Sequence, residues 1–266
     1  VFCMAWVVSC RTKRLRVQSD GVFATHAAAC EMFVKRWSGC CDGDSWNESS
    51  AMTSRILLLK TAACVFCAAL FLIRVRLTGS TYFSFMLWNL FLAALPLVFA
   101  WFLPHTRRFS RAIPLLAVWL LFFPNAPYVL TDLIHLKPRA GIPLWYDLLM
   151  LLAFALTSLW IGFHSLHLVH QWIARHVSVR MGWLAVLGVM PLTGFGIYLG
   201  RVLRWNSWDI ISNPFSLLRD IASLALHPLA HRDVWLFTFG FGLLLMFAYL
   251  AWRHPAHSAE QDASAR

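Results

Sequence analysis

Six apolar blocks dominate this chain, and each is long enough to cross a bilayer as an α-helix. They lie at about Ile56–Ile73, Thr81–Leu103, Ala112–Val129, Leu144–Leu166, Met181–Leu203 and Val234–Trp252. A helix rises 1.5 Å per residue, so roughly 17–25 apolar residues cover the hydrocarbon core. In lipid, every backbone N–H and C=O must be satisfied within the segment, which leaves helices or closed barrels. Blocks of this length predict helices. The expected fold class is therefore all-α integral membrane: a bundle of about six transmembrane helices. Only 13% of the residues are charged, against about 25% in soluble domains, too few to cover a water-exposed surface of this size.

The formal net charge is +11. Basic residues beside apolar blocks are the ordinary flanks of membrane spans and meet anionic lipid. No aromatic-basic module or nucleic-acid-binding motif accompanies them, so nucleic acid is excluded as a partner. Membrane lipids are the expected partners, with a small-molecule or lipid ligand. Oligomeric state is not legible.

Residues 1–51 differ from the rest. They hold Cys3, Cys10, Cys30, Cys40 and Cys41 and no run long enough to span. Val7-Val8-Ser9-Cys10 resembles a lipoprotein cleavage box but lacks the basic leader and apolar core of a signal. Five is an odd number for a disulfide framework, and adjacent Cys40-Cys41 fits no zinc spacing. This segment is expected to be disordered or an over-extended start, with Met52 standing just before the first span. The polytopic domain is expected over 52–253 and a mobile polar tail over 254–266.

Basic residues flanking the spans number eight on each side, so the positive-inside count is a tie. The basic residues of 1–51 tip the expectation to a cytoplasmic N-terminus. Six spans place the third and fifth loops on one face whatever the orientation. From Met52 to Arg253 the acidic residues are Asp132, Asp147, Asp209, Asp220 and Asp233, all in or beside those two loops.

The third block ends unusually, in "LFFPNAPYVLTDLIHL". Pro124 has no N–H for the carbonyl of Leu120, and Pro127 none for Phe123. Each proline also disfavours helical geometry at the preceding residue. The third helix should break at "PNAP", with Asn125 able to donate twice to freed carbonyls. If helix resumes, Asp132 and His135 share a face at i, i+3. Broken helices at membrane depth often line binding sites; the plainer reading is a kinked span whose polar end reaches the headgroups. Tyr198–Pro214, "YLGRVLRWNSWDIISNP", is the second polar patch. On a helix, Arg201 with Trp205, Arg204 with Trp208, and Trp205 with Asp209 are i, i+4 pairs, the first two suited to cation–π contact. An aromatic belt with snorkelling arginines would look alike.

The fifth block carries Gly182, Gly188, Gly194, Gly196 and Gly200, read first as close helix packing. After it, Asn213 and Pro214 predict the start of a short interfacial helix. His164, His167 and His170 form a run on the opposite face from Asp132. Two of them could share a metal, but an interfacial, metal-free role is preferred. Asp132, His135, Asp147 and Asp209 are a second weak metal set, and no cofactor is expected. Cys64 and Cys67 form a CxxC inside the first span, which reads as packing rather than redox chemistry. No nucleophile elbow, Walker loop, dinucleotide fingerprint or HExxH is present.

At "FFPNAPYVLTDLIHL", "WYDLLM" and "GRVLRWNSWD" the chain resembles a bacterial multi-pass membrane family, the domain-of-unknown-function family numbered 1361. The likeness runs from about Phe83 to Trp252. It implies a bacterial integral membrane protein of the cell membrane and supplies no activity, cofactor or catalytic residue. The residues favour a protein that binds or transports a lipid headgroup or small anion at one membrane face. Candidate ligand-binding residues are Asn125, Tyr128, Asp132, His135, Asp147, Arg201, Arg204, Trp205, Asn206, Trp208 and Asp209. The alternatives are a membrane enzyme using Asp132, His135 and Asp147 for acid-base or metal chemistry on a lipid-linked substrate, and a membrane scaffold.

Overall fold

The computed structural model describes the backbone of residues 43–106 and 109–264, and the side chains of residues 55–106 and 110–253. By its internal contacts the chain divides into Val1–Leu58 and Leu59–Arg266, and the bundle is built within the second unit.

Helices account for most of the described residues: α1 Gly43–Thr78, α2 Phe85–Phe102, α3 Phe109–Phe122, α4 Asn125–Tyr128, α5 Leu144–His176, α6 Val179–Arg201, α7 Asp209–Ser212, α8 Pro214–Leu226 and α9 Arg232–Ser264. Short 3-10 turns cover Tyr82–Ser84, Leu103–His105 and Val129–His135. Six stretches are long and apolar enough to cross a membrane: Arg55–Thr78, Tyr82–His105, Ser110–His135, Leu144–His176, Val179–Arg201 and Arg232–Arg253. The all-α, six-span reading is thus what the chain adopts. Side chains such as Leu58, Val65, Leu72, Leu156, Leu187 and Phe247 point outward. Contiguous apolar surface of that kind suits lipid and would drive association in water.

Most of the segment 1–51 lies outside the described residues. Its last part, from Gly43, is the start of α1, and residues 254–264 continue α9 as helix.

Local chemistry explains where the helices stop. Gly79 ends α1 at φ 68°, and its N–H bonds to the Val75 carbonyl at 2.8 Å. Glycine takes this left-handed geometry without a Cβ penalty. Ser178 caps α6 by accepting from the Met181 N–H at 3.2 Å, so only Val177 and Ser178 separate α5 from α6. Asn213 does stand before α8, with Pro214 in its first turn, but its side chain makes no capping hydrogen bond. The helix leans instead on Pro214, whose fixed φ suits that position.

The central element is α5, whose 33 residues extend about 50 Å. It is the most deeply buried of the six spans. Two apolar clusters form around it. One joins Trp119, Phe123, Phe163, Met190, Leu245 and Tyr249. The other joins Phe71, Phe83, Met86, Met150 and Phe154. Cys67 belongs to the second, with its Sγ 3.5 Å from the Thr157 hydroxyl, and both cysteines of the CxxC are free thiols.

Glycines set the closest approaches. A Cβ on Gly194 would stand 2.3 Å from the Thr238 carbonyl oxygen, so α6 and α9 touch backbone to backbone there. On another side of α6, Gly196 meets the Pro124 ring and Gly200 meets Tyr128. The GxxxG pair and the Pro124–Tyr128 pair share a four-residue spacing. This seats the fifth span directly on the interruption in the third.

Candidate functional site

The interruption is local and satisfied. Regular helix stops at Phe122, turns through Phe123 and Pro124, and resumes for one turn in α4 before tightening to 3-10 geometry. The Phe123 carbonyl, which Pro127 cannot serve, accepts from the Ala126 N–H at 3.1 Å. Asn125 makes both of the donations its amide allows, to the Phe122 carbonyl at 2.9 Å and the Ser207 hydroxyl at 3.1 Å. Ser207 in turn donates to the Leu121 carbonyl at 3.3 Å. The break in the third span is therefore closed by the loop after the fifth, as the need to satisfy backbone groups at membrane depth requires.

In a 3-10 turn, residues i and i+3 eclipse. Asp132 and His135 consequently lie one above the other, and Arg201 reaches both. Its Nη2 donates to Asp132 Oδ1 at 2.5 Å and to the Thr131 hydroxyl at 2.6 Å, while its Nε donates to the same hydroxyl at 2.8 Å. Its Nη1 lies 3.5 Å from His135 Nε2. The guanidinium also stacks on Tyr128, 4.3 Å from the ring centre. The second oxygen of Asp132 accepts from the Asn89 amide at 2.9 Å. Asp132 is 1% exposed, and a buried carboxylate without hydrogen-bonding partners would be costly.

A second buried ion pair lies on the same face. Arg74, at the end of the first span, donates through Nε and Nη2 to the two oxygens of Asp147 at 2.7 and 3.3 Å. Both side chains are 1% exposed. Arg139 approaches Asp147 at 3.8 Å and stacks on Tyr82 and Phe83, and Arg74 stacks on Phe83. Asp147 is thus committed to Arg74 and takes no part in the Asp132 cluster.

The arginine–tryptophan segment departs from the expected helix. Arg201 is the last residue of α6, and Arg204 takes a left-handed φ of 60°. The Trp205 N–H then turns back to the Leu199 carbonyl at 3.1 Å. Once the helix ends, the i, i+4 pairs of Arg201 with Trp205, Arg204 with Trp208, and Trp205 with Asp209 lose their common face. The aromatic partner of Arg201 is Tyr128 instead, and Trp205 donates through Nε1 to Asp220 at 3.0 Å. Asp209 organises the loop: it accepts from the Asn206 N–H at 2.6 Å and the Ser212 hydroxyl at 3.0 Å. The Asn206 bond, chiefly, holds its carboxyl below the usual range.

These folds leave an open cleft of about 180 Å³ between the second, third and fifth spans. Trp88, Asn89, Asn125, Tyr128, Asn206 and Trp208 supply its aromatic and polar wall. Trp88 and Trp208 meet edge to face at 6.3 Å. Of the expected site residues, Asn125, Tyr128, Trp205, Asn206 and Trp208 line this cleft. Asp132, His135 and Arg201 form the ion-pair cluster behind Tyr128 and Asn89. Arg204 is exposed, and Asp147 lies with Arg74. Asn89, Trp88, Ser207 and Arg74 went unrecognised in the sequence. Asn89 carried a signal, since a lone amide inside an apolar block is costly unless it has a partner.

The histidine run holds no metal constellation. Among the described residues, no group of three or more histidine, cysteine, aspartate or glutamate side chains could hold an ion. His164 contacts the Lys60 amine, and His167 lies 3.0 Å from the Gln171 amide. His170 meets the Tyr249 hydroxyl at 3.2 Å. The set Asp132, His135, Asp147 and Asp209 forms no such group either: Asp147 is paired with Arg74, and Asp209 is bonded within its own loop.

The model of one protein family, described as "Protein of unknown function (DUF1361)", matches residues 88–248, more than half of the 266-residue chain. No curated protein and no solved structure matches it.

Proposed function

We propose, on the premise that the chain belongs to the DUF1361 family, that this integral membrane protein binds the headgroup of a lipid or lipid-linked molecule in the Trp88–Trp208 cleft. One observation carries the reading: the loop after the fifth span folds back onto the interrupted third span and leaves a concave, aromatic- and amide-lined opening at the span ends. Binding sites of this kind are concave, with aromatic walls and a few placed polar groups. A small anion is less well served. Arg201, the cation that would grip it, is already neutralised by Asp132.

The ion pair supports the site from behind. It fixes Tyr128 and Asn89, which present their other surfaces to the cleft. In this reading the protein sits in a bacterial inner membrane with its N-terminus in the cytoplasm.

Native mass spectrometry of the full-length chain, purified gently from membranes, tests the reading. Wild type is expected to retain one lipid-sized adduct that Trp208→Ala and Asn206→Ala lose while remaining folded. Equal adduct retention in all three proteins would count against the cleft.

A further inference from the structure

We infer that the group held in the cleft is an uncharged polyhydroxylated ring, a glycosyl headgroup, rather than a phosphate or an ammonium. This rests on the reading of the cleft as a headgroup site and names its ligand class.

The first argument is charge. Among the described residues, none that lines the cleft is charged. Asp132 is paired with Arg201, whereas Asp209 and Asp220 keep their charge but accept from Asn206, Ser212 and Trp205, and neither they nor the exposed Arg204 line the cleft. A charged headgroup entering this partly desolvated cleft would find no counter-charge in its lining, and that carries a desolvation penalty. An uncharged ligand avoids it.

The second argument is hydrogen-bond inventory. A primary amide offers two N–H donors and one carbonyl oxygen. Asn125 spends both donors inside the protein, on Phe122 and Ser207, and keeps its oxygen. Asn89 spends one donor on Asp132, and Asn206 one on Asp209. The three amides therefore retain three acceptor oxygens and two donors. Phosphate oxygens are acceptors only and could use only the donors. An ammonium is a donor only and could use only the oxygens. A hydroxyl both donates and accepts, so a ring bearing several hydroxyls matches the mixture.

The third argument is shape. Trp88 and Trp208 are 53% and 41% exposed, and their rings meet at 63° as two walls of a corner. Indole walls suit the apolar C–H face of a sugar ring, while its hydroxyls point to the amides. A volume of about 180 Å³ admits one such ring. The open side allows either a free sugar or one carried on a lipid.

The test uses the full chain in phosphatidylcholine nanodiscs doped equally with a neutral monoglycosyl diacylglycerol, phosphatidylethanolamine and phosphatidylglycerol. Native mass spectrometry reads which dopant stays bound. The expected result is preferential retention of the glycolipid. Asn206→Ala and Trp208→Ala should each weaken that retention, by about tenfold for loss of one well-placed contact. Both residues lie on the rim, and circular dichroism confirms that the variants fold.

Addition of excess methyl hexoside separates the two sources. Displacement of the glycolipid shows that the sugar alone is recognised, and persistence shows recognition of the lipid-linked form; either supports the inference. Preferential retention of phosphatidylethanolamine or phosphatidylglycerol, lost in the same variants, overturns the glycosyl assignment and leaves the cleft as a headgroup site. Retention of phosphatidylcholine from the host bilayer, lost in the same variants, likewise overturns the glycosyl assignment alone, whereas retention of no lipid, or retention indifferent to both variants, overturns the cleft reading as well.

Discussion

Arg201 and Asp132 lie 69 residues apart in sequence, yet their side chains meet at 2.5 Å beside the interruption of the third span. The contact joins the last residue of α6 to the 3-10 turn that follows α4. Asp132 is 1% exposed and Arg201 20%, so water cannot replace either partner in full. A pair of this kind adds little net stability over an apolar pair of the same shape, but losing one member leaves a buried charge uncompensated. Its role is positional: it fixes where the third and fifth spans end relative to each other, and so the shape of the cleft.

From this follows the first expectation. Asp132→Ala should lower stability by about 3–5 kcal/mol, the cost of stranding one partner of a buried pair. Replacing both residues, Asp132→Leu with Arg201→Leu, should recover a substantial part of that loss. Thermal unfolding in detergent, followed by circular dichroism, measures both. A double variant no more stable than Asp132→Ala would show that the pair does more than compensate its own charges.

Arg74 and Asp147 invite a sharper substitution. The guanidinium makes two parallel bonds to the carboxylate and stacks on Phe83. Lysine keeps the charge but offers neither the planar fork nor the stack. Arg74→Lys should therefore destabilise by roughly 1–3 kcal/mol, in line with losing a charge-assisted hydrogen bond in a buried setting. A thermal midpoint equal to wild type would reduce the interaction to simple charge neutralisation.

Much of this architecture is legible in the residues. Six apolar blocks give the six spans, because length and hydropathy alone decide whether a segment can cross. The interruption at "PNAP" and the role of Asn125 follow from proline's missing donor. The expectation that the five aspartates share a face rests on the count of spans, which puts the third and fifth loops together, and not on acids avoiding hydrocarbon, which would not choose a side. What could not be read was which cation each acid chooses. Arg201 is followed by Val202, Leu203 and Arg204, and nothing local announces that the helix ends there with Arg204 at φ 60°. The expected Arg201–Trp205 stack assumed that the helix continues. Arg74 looked like an ordinary flanking charge, and its burial depends on Asp147, 73 residues away. Pairings over such distances are set by tertiary packing, which periodicity does not encode.

The backbone contact between α6 and α9 gives a clean comparison between two glycines of the same helix. A Cβ on Gly194 would meet the Thr238 carbonyl oxygen at 2.3 Å, whereas one on Gly188 meets nothing within 4 Å. Gly194→Ala should force the helices apart and destabilise by about 1–3 kcal/mol. Gly188→Ala should be neutral or stabilising by up to about 1 kcal/mol, because alanine is the better helix former. Parallel thermal melts of the two variants check the contrast. Equal effects would mean that the crossing is looser than this geometry.

Asp209 supplies a pH dependence. The Asn206 backbone N–H, chiefly, lowers its carboxyl below the ordinary value of 3.8, against an opposing desolvation, with the Ser212 hydroxyl and the Asn206 amide adding smaller contributions in the same direction. A carboxyl depressed in the folded state stabilises the fold above its unfolded pKa, and that contribution fades as pH falls through the folded value. The loop from Asn206 to Ser212 should therefore be held at neutral pH and loosen only in strong acid. Asn206 and Trp208 sit in that loop and also line the cleft, so ligand retention should decline over the same acid range. Asp209→Asn should remove the pH dependence of loop protection, because its amide does not titrate over that range. Hydrogen exchange at the Asn206 amide, corrected for its intrinsic pH dependence, measures the loop directly. Protection that is flat from neutral pH to below the ordinary carboxylate range in wild type, or unchanged in Asp209→Asn, would detach the loop from the carboxylate.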